Sequence, residues 1–158
     1  MCSSDLTELA RMADYHLQLK PGTNVAVLNM IQYFIVEAGL IDHKFIKERC
    51  EGGEEFIEKI KDLDVDAMAK ISGLDKEDVK AVALAYASAE NAMEFHGLGV
   101  TEHSQGSQTV MLISNIAMMT GNLGRPGVGV NPLRGQNNVQ GAADRSEEHT
   151  SELQSHLN

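Results

Sequence analysis

Apolar residues along this chain recur mostly at helical spacing, broken by short stretches of strict alternation. Val25, Val27, Leu28, Ile31, Ile35 and Val36 predict a helix that Gly39 stops, with Thr23 at its N-cap. Shorter pieces follow: His43–Cys50 behind a capping Asp42, Glu54–Leu63 behind Gly53, and Val65–Ser72. Asp75 and Asp78 open a further helix in a weak capping-box pattern, with Val79, Val82, Ala83 and Tyr86 as its inner stripe. A strongly apolar helix runs from about Gln105 to Thr120. Its core candidates are Val110, Ile113, Ile116, Ala117 and Met119, and Gly121 is a natural residue just past its end.

Alternation marks two strands. Tyr15–Lys20 reads as a short strand ending at Lys20-Pro21-Gly22. Asn91–Gly97 reads as another, with Ala92, Glu94 and His96 on one side and Met93 and Phe95 on the other. Gly97-Leu98-Gly99-Val100-Thr101 then leaves it in a glycine-rich turn. Strands set among helices predict an α/β fold, where ligands sit beyond the carboxyl ends of strands, here His96–Gly106. The first strand, turn and helix place Gly22, Thr23 and Asn24 at a helix N-terminus, whose free N–H groups suit an anion. An ordinary capped helix satisfies the same spacing.

Residues 121–141 break both periods. They carry too many glycines and too few apolar residues to form a regular core element. Their last eight, Arg134-Gly135-Gln136-Asn137-Asn138-Val139-Gln140-Gly141, combine a guanidinium, four carboxamides, two glycines and a single apolar side chain. That inventory suits a flat heterocycle rich in donors and acceptors, with a carboxylate or phosphate nearby. The alternative is a solvated surface loop.

The run GNLGRPGVGVNPLRGQNNVQGAAD resembles the signature of the catalytic subunit of molybdenum- or tungsten-dependent formate dehydrogenase, in the molybdopterin oxidoreductase superfamily. The similarity extends through His96–His103 and Ala13–Asn24, so it covers nearly everything between Thr7 and Asp144. It implies a helix-rich fragment of that superfamily's Rossmann-like central domains. It also implies oxidation of formate to carbon dioxide, or the reverse, at a molybdopterin-bound molybdenum or tungsten. By the same resemblance Arg134 grips formate, Gln136 and Asn138 line the pterin, and Asn137 and Gln140 brace the loop. Thr101 and His103, with His96 and Glu102, lie near that cofactor. Gly22, Thr23 and Asn24 lie near the nucleotide end of a molybdopterin guanine dinucleotide. Lys20, beside Asp14 and His16, and Arg125 beside Pro126 are further candidates for phosphate contacts.

The family's cysteine or selenocysteine metal ligand has no counterpart here, nor do the cysteines of its 4Fe–4S cluster. The resemblance therefore implies a partial cofactor site without a metal ligand, in a chain inactive by itself. Electron-transfer subunits of the parent enzyme are the expected partners. Two other readings compete: another molybdopterin oxidoreductase such as a nitrate reductase, and a non-catalytic nucleotide-binding or helical interaction module.

The two ends read differently. Residues 1–6 and 145–158 resemble translated sequencing adapters, which would leave 7–144 as the domain fragment. A short polar helix or a disordered acidic end also fits the tail's composition.

Composition narrows the remaining classes. The 158 residues suffice for one domain with a core. The net charge of −10, with no basic stripe, excludes nucleic acid as an expected partner. Beyond Cys2 the sequence holds only Cys50, which excludes a disulfide framework and a cysteine-rich metal site. Eight methionines, four phenylalanines and no tryptophan suggest a soft helical core. No apolar run is long enough to span a bilayer and no secretory signal is visible, so a cytoplasmic location is expected.

Overall fold

The first described element is a short helix, α1 (Glu8–Met12), which Thr7 caps by accepting the Ala10 N–H at 3.3 Å. The computed structural model describes residues 6–139, 141, 142, 144 and 145. The adapter-like residues 1–5 and 146–158 and the bracing residue Gln140 lie outside the described residues.

Residues 15–20 form no strand, which corrects the first alternation reading. Leu17 and Leu19 pack on the core, as alternation requires, but among the described residues no strand lies alongside. The Lys20 N–H instead donates to the Ser72 carbonyl at 3.0 Å. One-sided burial is thus achieved without a ladder.

Next comes α2 (Asn24–Glu37), the centre of the helical layer. Around it pack α4 (Gly53–Lys61), α5 (Val65–Ser72), α6 (Lys76–Ala87) and α8 (Gly106–Met119), while α3 (His43–Arg49) bridges α4 and α8. Aspartates set three of these starts, as short oxygen acceptors do at free helix N–H groups. Asp42 accepts from Phe45 at 2.8 Å, Asp64 from Ala67 at 2.9 Å and Asp75 from Glu77 at 2.8 Å. The core joins Val27, Met30, Phe34 and Ile35 of α2 to Val79 and Ala83 of α6 and to Ile116 and Met119 of α8. Met30 and Ile35 are fully buried, each contributing about 1.5–3 kcal/mol relative to an exposed position.

The sheet has two strands, β1 (Met93–His96) and β2 (Gly129–Pro132), paired in parallel with His96 opposite Pro132. Between them run α7 (Leu98–Thr101) and α8, which makes a β–α–β unit. Two expectations change here. The turn after β1 is a single helical turn, α7, and part of the glycine-rich run 121–141 is a strand. Glycine and proline tolerate strand geometry where ladder bonding is light, and Pro132 stands at the last position of β2. Gly121 takes the left-handed conformation that ends α8, with φ of 66°.

Candidate functional site

β1 and β2 end side by side, and a cleft of ≈ 590 Å³ opens beyond their carboxyl ends. His96, Pro132 and Val130 form its strand side, Arg134 stands two residues past β2, and Thr101 comes from α7. Gly106, Ser107, Val110 and Ser114 come from α8. Ser107, Val110 and Ser114 are spaced three and four apart, one stripe of that helix.

Two features make the cleft electropositive. No side chain caps α8, so the positive end of its dipole meets the cleft at Gly106 and Ser107. The exposed Arg134 guanidinium forms no hydrogen bond or ion pair with any described residue, and none of the lining residues is an acid. Both features suit an anion.

Thr101 and Arg134 are therefore brought together, as their candidate roles need. The Thr101 hydroxyl points back to the Gly97 carbonyl at 3.5 Å and does not cap α8. Gln136 and Asn138 lie exposed on the loop just beyond Arg134, where the Asn138 side-chain oxygen accepts the Gly141 N–H at 3.2 Å. His103 and Glu102 are exposed and do not line the cleft.

Gly22, Thr23 and Asn24 stand elsewhere, at the start of α2, and do not line it either. Gly22 takes φ of 82°, and the Thr23 hydroxyl donates to the Lys20 carbonyl at 2.6 Å, leaving α2 without a side-chain cap. Asp14, His16 and Lys20 are exposed. Arg125 is occupied by the protein: it donates to the Glu90 carbonyl at 2.8 Å, to Asn122 at 3.1 Å and to Asn91. Cys50 is a free thiol in a separate cavity of ≈ 300 Å³ with Arg49, Phe56 and Met118. Among the described residues no cluster of ligating side chains could hold a metal ion.

Sequence reasoning missed Ser107 and Ser114, while Gly106 closes the span His96–Gly106 that it placed beyond the strand. The serines recur seven residues apart, a helical-face signal that was legible. His96 was expected near the cofactor by the resemblance, and it does line the cleft. It is 7% exposed, while its Nδ1 is sealed from solvent without a hydrogen-bond partner among the described residues.

A parallel β–α–β unit with an anion-ready cleft at its carboxyl end is a cofactor-binding arrangement of α/β proteins. The chain belongs to the molybdopterin oxidoreductase family, whose family model, described as "Molybdopterin oxidoreductase", matches residues 1–157. It is 49% identical over 138 residues to the F420-dependent formate dehydrogenase 2 subunit alpha of Methanococcus maripaludis, covering 87% of this chain and 20% of that protein. It is 42% identical over 144 residues to formate dehydrogenase H of Escherichia coli, covering 91% of this chain and 20% of that protein. The chain thus spans about a fifth of the length of these curated relatives. Among solved structures it resembles acetylene hydratase from Pelobacter acetylenicus, with a TM-score of 0.69 and 24% identity over 77% of this chain and 17% of that one. That likeness shows the α/β fold.

Proposed function

We propose that this chain is part of a formate dehydrogenase catalytic subunit, and that its cleft holds formate beside a molybdopterin cofactor. One observation carries the reading: a guanidinium without a partner among the described residues, in a cleft whose described lining holds no carboxylate, at an uncapped helix N-terminus. A carboxylate is the anion that a planar guanidinium grips with two parallel hydrogen bonds. Arg134 so oriented fixes both formate oxygens and leaves the C–H bond pointing away from the clamp.

The donors present fit a pterin. Thr101, Ser107 and Ser114 line the cleft, and the Gln136 and Asn138 amides stand next to it in sequence. We assign Gln136 and Asn138 to its edge. His103 is assigned to the outer margin of the same cofactor, since its side chain stands outside the cleft. Gly22, Thr23 and Asn24, at an uncapped helix start, suit the phosphates of a guanine dinucleotide extension. When bound, the cofactor supplies the molybdenum or tungsten redox couple that takes up the two electrons of formate. Formate dehydrogenase is favoured over nitrate reductase by the relatives' names and by the arginine in the amide loop.

The test is steady-state kinetics on the full-length enzyme carrying this segment. Arg134→Lys replaces two parallel bonds with a point charge, losing about 1.5–3 kcal/mol. The expected result is a raised KM and a kcat/KM lower by about 10- to 150-fold. Near-normal kinetics would remove Arg134 from the substrate site.

A further inference from the structure

The inner face of β1 is polar where a strand's buried face is ordinarily apolar. Met93 and Phe95 are 49% and 61% exposed, while the side chains between and beyond them, Glu94 and His96, turn inward. Both Glu94 carboxylate oxygens, the Tyr86 hydroxyl and His96 Nδ1 are sealed from solvent, and none has a hydrogen-bond partner among the described residues. Leaving one such group unpaired costs about 1–3 kcal/mol. Folded chains retain few of them, and a cluster on neighbouring side chains calls for a reason.

Glu94 and His96 are alternate residues of one strand, so their Cα atoms stand about 6.6 Å apart on one face. A buried water is stable where it finds two to four polar partners, and these orphaned atoms supply them. The two side chains also reach different spaces. His96 lines the Arg134 cleft, whereas Glu94 lines a separate cavity of ≈ 260 Å³.

We propose that His96 and Glu94 form a proton relay from the Arg134 cleft to the cavity beside Tyr86, completed by bridging water. The proposal rests on the formate reading. Formate oxidation, HCOO⁻ → CO₂ + H⁺ + 2e⁻, breaks the C–H bond and forms the second C=O bond. The two electrons belong to the cofactor's redox couple, and the proton needs an acceptor supplied by the protein. An imidazole accepts a proton at one nitrogen and releases one from the other. His96 is therefore suited to take the proton on its cleft side and pass one from Nδ1, through water, to the Glu94 carboxylate.

The surroundings of Glu94 favour rapid exchange. Facing it are the Tyr86 hydroxyl from α6, apolar Leu28 and Ile31 from α2, and Ile113 and Ile116 from α8. On the β2 side, Asn131 donates to the Glu94 backbone carbonyl at 3.2 Å. Burial pushes the Glu94 carboxyl up to about 7, against a smaller lowering influence from the Tyr86 hydroxyl. Tyr86 stands close enough to affect Glu94 without closing a hydrogen bond, and burial raises its own pKa as well. A carboxyl that exchanges its proton near neutral pH is what a relay needs.

Two measurements test the relay. In the full-length enzyme, Glu94→Gln should lower kcat on the order of 10²-fold with KM for formate unchanged, and abolish the pH dependence of kcat near 7. Glu94→Asp should restore part of the rate. Wild-type kcat and pH profile in Glu94→Gln, or a loss confined to KM, would overturn the proposal. Independently, nitrogen NMR of the His96 ring in the present chain should shift on Glu94→Gln, and an unchanged His96 signal would overturn the water-bridged coupling. An enzyme that fails to oxidise formate sinks the functional reading and removes the relay's proton source, while the NMR still judges the coupling.

Discussion

Gly106 lies so close against the Thr101 carbonyl that a Cβ at position 106 would overlap that oxygen. This contact joins the end of α7 to the start of α8, so it holds the uncapped N-terminus of α8 at the cleft. Gly106→Ala must push backbone apart and should cost at least about 1–3 kcal/mol. Urea denaturation reads this directly: a lower midpoint is expected, and an unchanged one would show that the α7–α8 junction has slack.

Asn122, 1% exposed, knots the start of β1 to the turn after α8. Its Oδ1 accepts the Ala92 N–H at 3.2 Å and the Arg125 guanidinium at 3.1 Å, and its Nδ2 donates to the Thr120 hydroxyl at 2.9 Å. Asn122→Ala leaves these groups unpaired and should destabilise by about 1–3 kcal/mol. Arg125→Ala, at an exposed side chain, should cost less. Thermal denaturation of the two variants gives the order, and the reverse order would make Arg125 the principal brace.

Glu94 fixes a sign for pH and stability. Burial raises its carboxyl from 4.5 to about 7, so between those values the folded state holds more protons than the unfolded one. Stability therefore falls as pH rises from 4.5 to 7, and the penalty is complete above 7 and absent below 4.5. Glu94→Gln should stabilise the chain at pH 8 by up to about 3 kcal/mol and leave it unchanged at pH 4. Equal effects at both values would show that Glu94 is solvated.

The helices were legible because their ends carry local chemistry. Asp42 and Asp75 accept first-turn N–H groups as their positions suggested, and Gly121 ends α8. Strands depend on a distant neighbour, and there the reading went astray. Leu17 and Leu19 alternate without a pairing strand among the described residues, while β2 pairs despite Gly129 and Pro132, because Met93–His96 lies beside it. The cleft was half legible. Arg134 and Thr101 announced themselves through motif and turn, but Ser107, Ser114 and Gly106 join them only once α8 folds back over the strands. The inward turn of Glu94 and His96 was hidden for a related reason: alternation separates two faces without saying which is buried.

The central claim is that the Arg134 cleft serves formate. Its most direct test assays the full-length enzyme with formate as electron donor to a dye and, separately, with reduced dye as donor to nitrate. The account predicts formate-dependent dye reduction that Arg134→Ala lowers by at least about 10²-fold, with no nitrate reduction. Nitrate reduction without formate oxidation, or formate oxidation untouched by Arg134→Ala, would contradict it.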